Sequence, residues 1–171
     1  MLRAALLSCS LCFALPAFAQ EGPMTAQRIA EIVLDIDPDA QLAPGGIELT
    51  LEDIPVLIVM SPGADRMRAM VPIASVEDVS AEEMARMMQA NFDTALDARY
   101  AVAQGRVWGV FIHPLAPLER EQFLSGLVQT VNLARTYGTL YSGGANVFNG
   151  GDSAEIFQDL FEDLLDRGQD I

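Results

Sequence analysis

The chain predicts an α+β fold, an antiparallel sheet of about five strands with helices packed on it. The expected order is α-β-β-β-α-β-β-α, with a further C-terminal amphipathic helix. Three observations lead there. Segments with apolar residues at every second position alternate with short turns rich in Gly, Pro and Asp, the pattern of hairpin-linked strands. Other segments repeat apolar residues every three or four positions, as helices do when they pack on a sheet. The chain is 171 residues long and 51% hydrophobic, enough for one domain with one core.

Thr25 can cap a first helix, after which Ile29, Ile32, Val33 and Ile36 fall on one side. Asp37-Pro38-Asp39 ends it, and Gly45-Gly46 forms a turn. Ile47, Leu49 and Leu51 alternate with Glu48 and Thr50, so this strand is half buried. Pro55-Val56-Leu57-Ile58-Val59-Met60 is apolar throughout, as in a central strand. Ser61-Pro62-Gly63-Ala64-Asp65 is a hairpin turn. Residues 67–73 form the third strand, with Pro72 near its end, where a missing N–H does least harm.

Ser80 and Glu83 make a capping box, and the helix behind it extends to about Leu96. Met84, Met87, Met88 and Phe92 share its apolar face, which suits helix-on-sheet packing. Asn91 lies inside that face and needs a buried partner or a water. Residues 98–103 and 107–113 are two strands joined by a tight turn at Gln104-Gly105. Pro114 and Pro117 close this hairpin. A long helix over 118–137 is stopped by Gly138. Residues 139–153 are rich in Gly, Ser and Asn without periodicity and read as a linker. Residues 154–171 hold an acidic amphipathic helix, running from about Ser153 to Arg167.

The first nineteen residues read as an export signal. Arg3 precedes an apolar stretch over 4–15, Pro16 breaks it, and Ala17-Phe18-Ala19 is a cleavage site. The expected location is the periplasm or the exterior, with a domain over 20–138. Both cysteines, Cys9 and Cys12, fall inside the signal, so the mature chain lacks a thiol for disulfide, metal or nucleophile. All ten basic residues are Arg, against 24 acids, and the net charge is −14. Such a field repels phosphate backbones and anionic headgroups. Nucleic acid is therefore disfavoured as a partner, as is a membrane once the signal is removed, and neutral or basic partners are favoured.

Ala98-Arg99-Tyr100-Ala101, Gly105-Arg106-Val107-Trp108, Pro114-Leu115 and Glu121-Gln122-Phe123-Leu124 form a pattern of turn, glycine, aromatic strand, Pro-Leu and amphipathic helix. Over residues 24–138 this resembles the YbjN-type domain family, whose members share the fold of type III secretion chaperones. The resemblance implies a protein-binding role, often as a homodimer, with no defining catalytic residues. The export signal and the segment after residue 138 depart from that family's pattern.

Residues able to carry chemistry are few. His113 is the only histidine; with no Cys and no second His in the mature chain it cannot build a common zinc site. A small periplasmic hydrolase or ligand-binding enzyme using His113 is the alternative reading, and it requires a hydroxyl and a carboxylate beside the imidazole. The carboxylates Asp35, Asp37 and Asp39 lack the glycine and the distal glutamate of an EF-hand. Glu52 with Asp53 and Glu82 with Glu83 are pairs expected by chance among so many acids. No catalytic residue, metal site or cofactor is expected.

Apolar surface is what remains. Trp108, Val110 and Ile112 alternate with Val107, Phe111 and His113, so both faces of that strand carry large side chains. On the long helix Leu124, Leu127, Val128 and Val131 suit the sheet, while Gly126, Thr130, Leu133 and Tyr137 make a second stripe that calls for a cover. The final helix offers one: Phe157, Leu160, Phe161 and Leu164 line one side, opposite Asp159, Glu162, Asp163 and Asp166. A helix this short is marginal alone in water, so it docks on its own domain, a second subunit or a partner. Trp108, Val110, Ile112, Gly126, Thr130, Leu133, Tyr137, Phe157, Leu160, Phe161 and Leu164 are accordingly the candidate partner-binding residues of a non-catalytic, chaperone-like homodimer.

Overall fold

The computed structural model describes residues 22–93, 97–136 and 153–167. The expected export signal over 1–19, residues 139–152 of the expected linker, Tyr137, Gly138, Ala95 and Leu96 lie outside the described residues, as does the side chain of Phe157.

Helix α1 (Ala26–Ile36) begins where Thr25 Oγ1 accepts the Arg28 N–H at 3.1 Å, and it buries Ile29, Ile32, Val33 and Ile36. Its end is held by Asp37. That residue's N–H donates to Val33 O, and its carboxylate accepts the N–H groups of Asp39 (3.1 Å) and Thr50 (2.9 Å). The Asp37 carboxylate thus ties the helix end to a strand.

Strands β1 (Gln41–Ala43), β2 (Gly46–Leu51), β3 (Ile54–Ser61) and β4 (Arg66–Ser75) form an antiparallel meander. Strands β5 (Arg99–Ala103) and β6 (Arg106–His113) form a hairpin whose second strand pairs with β4. The sheet order is β1-β2-β3-β4-β6-β5. It has six strands where the sequence predicts about five. The extra one, β1, has only three residues, all exposed, too short for alternation to reveal. Gly46, at φ +151°, starts β2 so close to β3 that a Cβ would collide with the Ile58 carbonyl oxygen.

Two hairpins use two-residue turns with both residues left-handed, a backbone twist that matches twisted strands. Gln104 and Gly105 (φ 53° and 71°) behave as predicted. Glu52 and Asp53 (φ 51° and 62°) do the same between β2 and β3, so this acidic pair is a turn.

Helix α2 (Ala81–Asp93) carries the predicted capping box: Ser80 Oγ accepts the Glu83 N–H at 3.2 Å, and Glu83 Oε2 accepts the Ser80 N–H at 2.9 Å. The Ser80 hydroxyl also donates to Glu83 Oε2 at 2.7 Å, and this bond together with the one from the Ser80 N–H favours the charged carboxylate and holds Glu83 below its usual titration range. Asn91 finds its partner on β5. Its Oδ1 accepts the Tyr100 N–H at 2.8 Å and its Nδ2 donates to Tyr100 O at 3.0 Å. The side chain occupies the outer edge of β5 as a neighbouring strand would, leaving that residue's backbone satisfied. Because α2 sits along this edge, its apolar face is divided: Met87 and Ala90 are buried, while Met88 and Phe92 are exposed.

Helix α3 (Arg120–Thr136) crosses one face of the sheet. From Phe123 to Leu133 every residue but the half-buried Ser125 is buried. Helix α4 (Ser153–Arg167) packs on α3 and touches α1, burying Leu160 and Leu164. Arg167 reaches Ile36 O at 3.5 Å and pairs with Asp163 at 2.6 Å. Helix α3 therefore lies on the sheet and α4 on α3, while α1 touches α4 and buries its apolar side in the same continuous core. No described helix is long and apolar enough to cross a membrane.

Candidate partner-binding surface

Strand alternation gives β6 two different sides. Val107, Gly109 and Phe111 point into the core and are buried. Trp108, Val110 and Ile112 point the other way, where no described helix packs; Trp108 and Val110 are half buried and Ile112 is 56% exposed. The register assembles their neighbours. Val59, Arg68 and Ile112 form one cross-strand row. Leu57, Met70, Val110 and Arg99 form the next. Pro72, Trp108 and Ala101 form the third. The indole Nε1 of Trp108 donates to Ala103 O at 3.1 Å, which fixes the ring at one end of the patch. The result is an open sheet face, apolar at its centre.

The second stripe of the long helix is placed otherwise than the sequence reading expects. Gly126 lies under Phe111, and a Cβ there would meet the ring at 2.5 Å. Leu133 is buried over Gly109, and the fully buried Thr130 bonds Leu127 O at 2.7 Å. Gly126, Thr130 and Leu133 thus pack toward β6 and are closed to a partner. The physical reason is the pair of small residues Gly109 and Gly126. They let helix and strand approach closely, so the sheet contact is wider than side-chain size suggests. The opposite side of α3 is the one α4 covers. Leu160 and Leu164 are buried there within the same chain, and Phe161 is half buried. Leu160 and Leu164 are thereby closed off within the chain, whereas Phe161 keeps part of its surface open.

Polar groups hold this assembly in register. Gln129, buried on α3, accepts the N–H groups of Asp97 and Ala98 at 2.8 and 2.9 Å and donates to Ser125 Oγ at 3.1 Å. Tyr100 donates its hydroxyl to Leu133 O at 2.8 Å. Asp65 accepts the Ala116 N–H on Oδ1 at 2.7 Å and the Leu115 N–H on its carbonyl, while Ala116 O accepts from Met24. These bonds tie the β3–β4 turn, the loop before α3 and the start of α1 together. The sequence shows Asp65 only as a turn residue and gives no sign of Gln129, since a lone polar residue shows no periodicity.

His113 lines a cavity of about 330 Å³ with Asp97, Phe111, Glu121, Gln122, Ser125 and Phe161. Its ring stacks on Phe111 at 5.9 Å, and its Nδ1 lies 2.7 Å from Pro114 O. Ser125 Oγ is engaged by Gln129. The cavity thus gathers the carboxyl-bearing residues Asp97 and Glu121 and the Ser125 hydroxyl around His113, while the imidazole itself bonds Pro114 O.

No protein-family model matches the chain, and no curated protein sequence matches it. Among solved structures, a chain in the crystal structure of the ExsC-ExsE complex superposes with a TM-score of 0.52 at 14% identity. The match covers 68% of this chain and 95% of that one. The likeness is one of fold.

Proposed function

We propose that this chain is a non-catalytic, chaperone-like protein-binding module whose docking surface is the open sheet face. One observation carries the reading: Leu57, Val59, Met70, Pro72, Trp108, Val110 and Ile112 form a continuous apolar area on the side of the sheet that no described helix covers. An apolar patch of this kind, rimmed by charged residues, marks an interaction site. Two further observations support it. The sequence resembles YbjN-type domains, and we carry that assignment as part of the proposal. The similar solved structure is itself a complex of two proteins. Export through residues 1–19 belongs to the same reading, with Gln20 as the mature N-terminus.

A homodimer also belongs to this reading, but α3 does not supply its contact, since the sheet and α4 cover that helix. Helix α2 does, through Phe92, which is 75% exposed, and Met88. Light scattering tests this part: Phe92→Glu converts a dimer to a monomer, and an unchanged mass removes it.

The open face is tested by placing a photo-crosslinking residue at position 112 in the cells that make the protein. The expected result is a discrete protein adduct that disappears when Val110→Asp is added. Adducts from a control site at Leu34 on α1 but none from position 112 would mean that the face is not where partners dock.

A further inference from the structure

Resting on that docking face, we infer that its occupant is an acidic amphipathic helix of a partner protein. The chain as a whole is strongly acidic, with a net charge of −14. The open face has the opposite character. Strand alternation places Arg66, Arg68, Arg99 and Arg106 on it, all exposed. Four of the ten basic residues of the protein therefore share one side of one sheet. Glu48 is the single acidic strand residue on that side; the nearby acids Asp65, Glu77 and Asp78 belong to turns at its ends. Among the described residues neither Arg68 nor Arg106 meets a carboxylate, and the Arg66 guanidinium bonds only the Asp65 carbonyl, at 2.7 Å. Basic residues gathered on one face of an acidic protein steer an anionic partner there, against the sign of the whole. On this face the local charge runs against the preference for neutral or basic partners that net charge suggests, because charge is sorted by strand parity.

The shape of the occupant follows from the arrangement of these charges and from the sheet edges. Arg68 lies opposite Ile112, six residues along β6 from Arg106. At about 3.3 Å per residue this separates the two by roughly 20 Å along the strands. That is the length of about thirteen helical residues at 1.5 Å each. The apolar residues of β3, β4 and β6 span three neighbouring strands, about 10 Å across, close to the diameter of one helix. Strand addition is the other common way to engage a sheet, but the β5 edge at Tyr100 is occupied by Asn91. The opposite edge, β1, has three residues. A helix laid on the face buries Trp108, Val110 and Ile112 and sets its carboxylates against the arginine rim. It also completes the second helical layer that the sheet lacks.

The test uses the full mature chain and two synthetic fourteen-residue amphipathic helices identical in their Leu face, one with Glu and one with Lys on the polar face. Binding is read by peptide anisotropy and by Trp108 fluorescence. The Glu peptide should bind at least tenfold tighter than the Lys peptide at low salt. The Arg68→Glu/Arg106→Glu protein should reverse that order, and Ile112→Asp should abolish binding of both. An equal or opposite preference in the wild type, or a preference unchanged by the double reversal, overturns the inference. So does tighter binding to vesicles containing phosphatidylglycerol or to a single-stranded oligonucleotide than to the Glu peptide. A change of oligomeric mass on double reversal overturns it too, since the occupant is then a second copy. If neither peptide binds while position 112 still crosslinks a protein in cells, the helix inference falls and the docking face stands.

Discussion

Phe111 and Ile112 are neighbours on the same strand, both large and apolar, yet they live in different worlds. Phe111 is buried between Gly126 of α3 and the rest of the core, while Ile112 faces out beside Arg68. The same contrast runs the length of β4 and β6. One side is closed by α3, which α4 covers in turn, and the other is closed by nothing described. Local composition does not distinguish the two sides. What distinguishes them is which one the helices reach, and that depends on where chain connections and small residues permit close approach.

The strongest way to break this comparison is to truncate each neighbour in turn. Phe111→Ala should cost about 3–5 kcal/mol of unfolding free energy, because it leaves a cavity against the glycine of α3. Ile112→Ala should change stability by no more than about 0.5 kcal/mol, as for other exposed positions. Urea midpoints of the two variants decide it; similar losses would mean that the open face is covered in solution by part of this chain. Leu164→Ala sharpens the comparison on the closed side. This residue of α4 is fully buried, and its loss should cost about 2–4 kcal/mol. A near-neutral result would show α4 to be a detachable cover, as the sequence reading entertained.

The smallest effect concerns α2, the helix at the edge between the two sides. Glu83 is held below its usual range by hydrogen bonds from Ser80, so its folded pKa is depressed relative to the unfolded chain. The resulting stabilisation is present above the ordinary value of 4.5 and is lost as pH falls through the lower folded value. Glu83→Gln keeps the box but cannot ionise. Acidifying from pH 5 to pH 3 should therefore lower the urea midpoint of the native chain more than that of the variant. Parallel curves would show that the box contributes through geometry alone.

Much of the fold is legible in the sequence because its signals are local. The Ser80–Glu83 box, the Thr25 cap, the Gln104-Gly105 turn and the bounds of α4 each depend on residues within a few positions of one another. Asn91 is an intermediate case: its place on an apolar face announces a need for a partner, and only the structure names Tyr100. The candidate surface is less legible. Trp108, Val110 and Ile112 can be read from alternation, but their companions Leu57, Val59 and Met70 come from strands brought beside them by register. Gly126, Thr130 and Leu133 look available as a stripe because a helical wheel cannot show that Gly109 admits α3 so closely.

By itself, then, the chain determined its element order, its turns and caps, its α+β class and the two-sided apolar character of β6, all set by short-range stereochemistry and periodicity. The tertiary structure alone decided that α4 lies on its own α3, that the helix stripe is core, and that four arginines of an acidic protein gather on the open side. Those outcomes rest on strand register and helix approach, which sum contacts between residues distant in sequence and leave no trace in any single window of it.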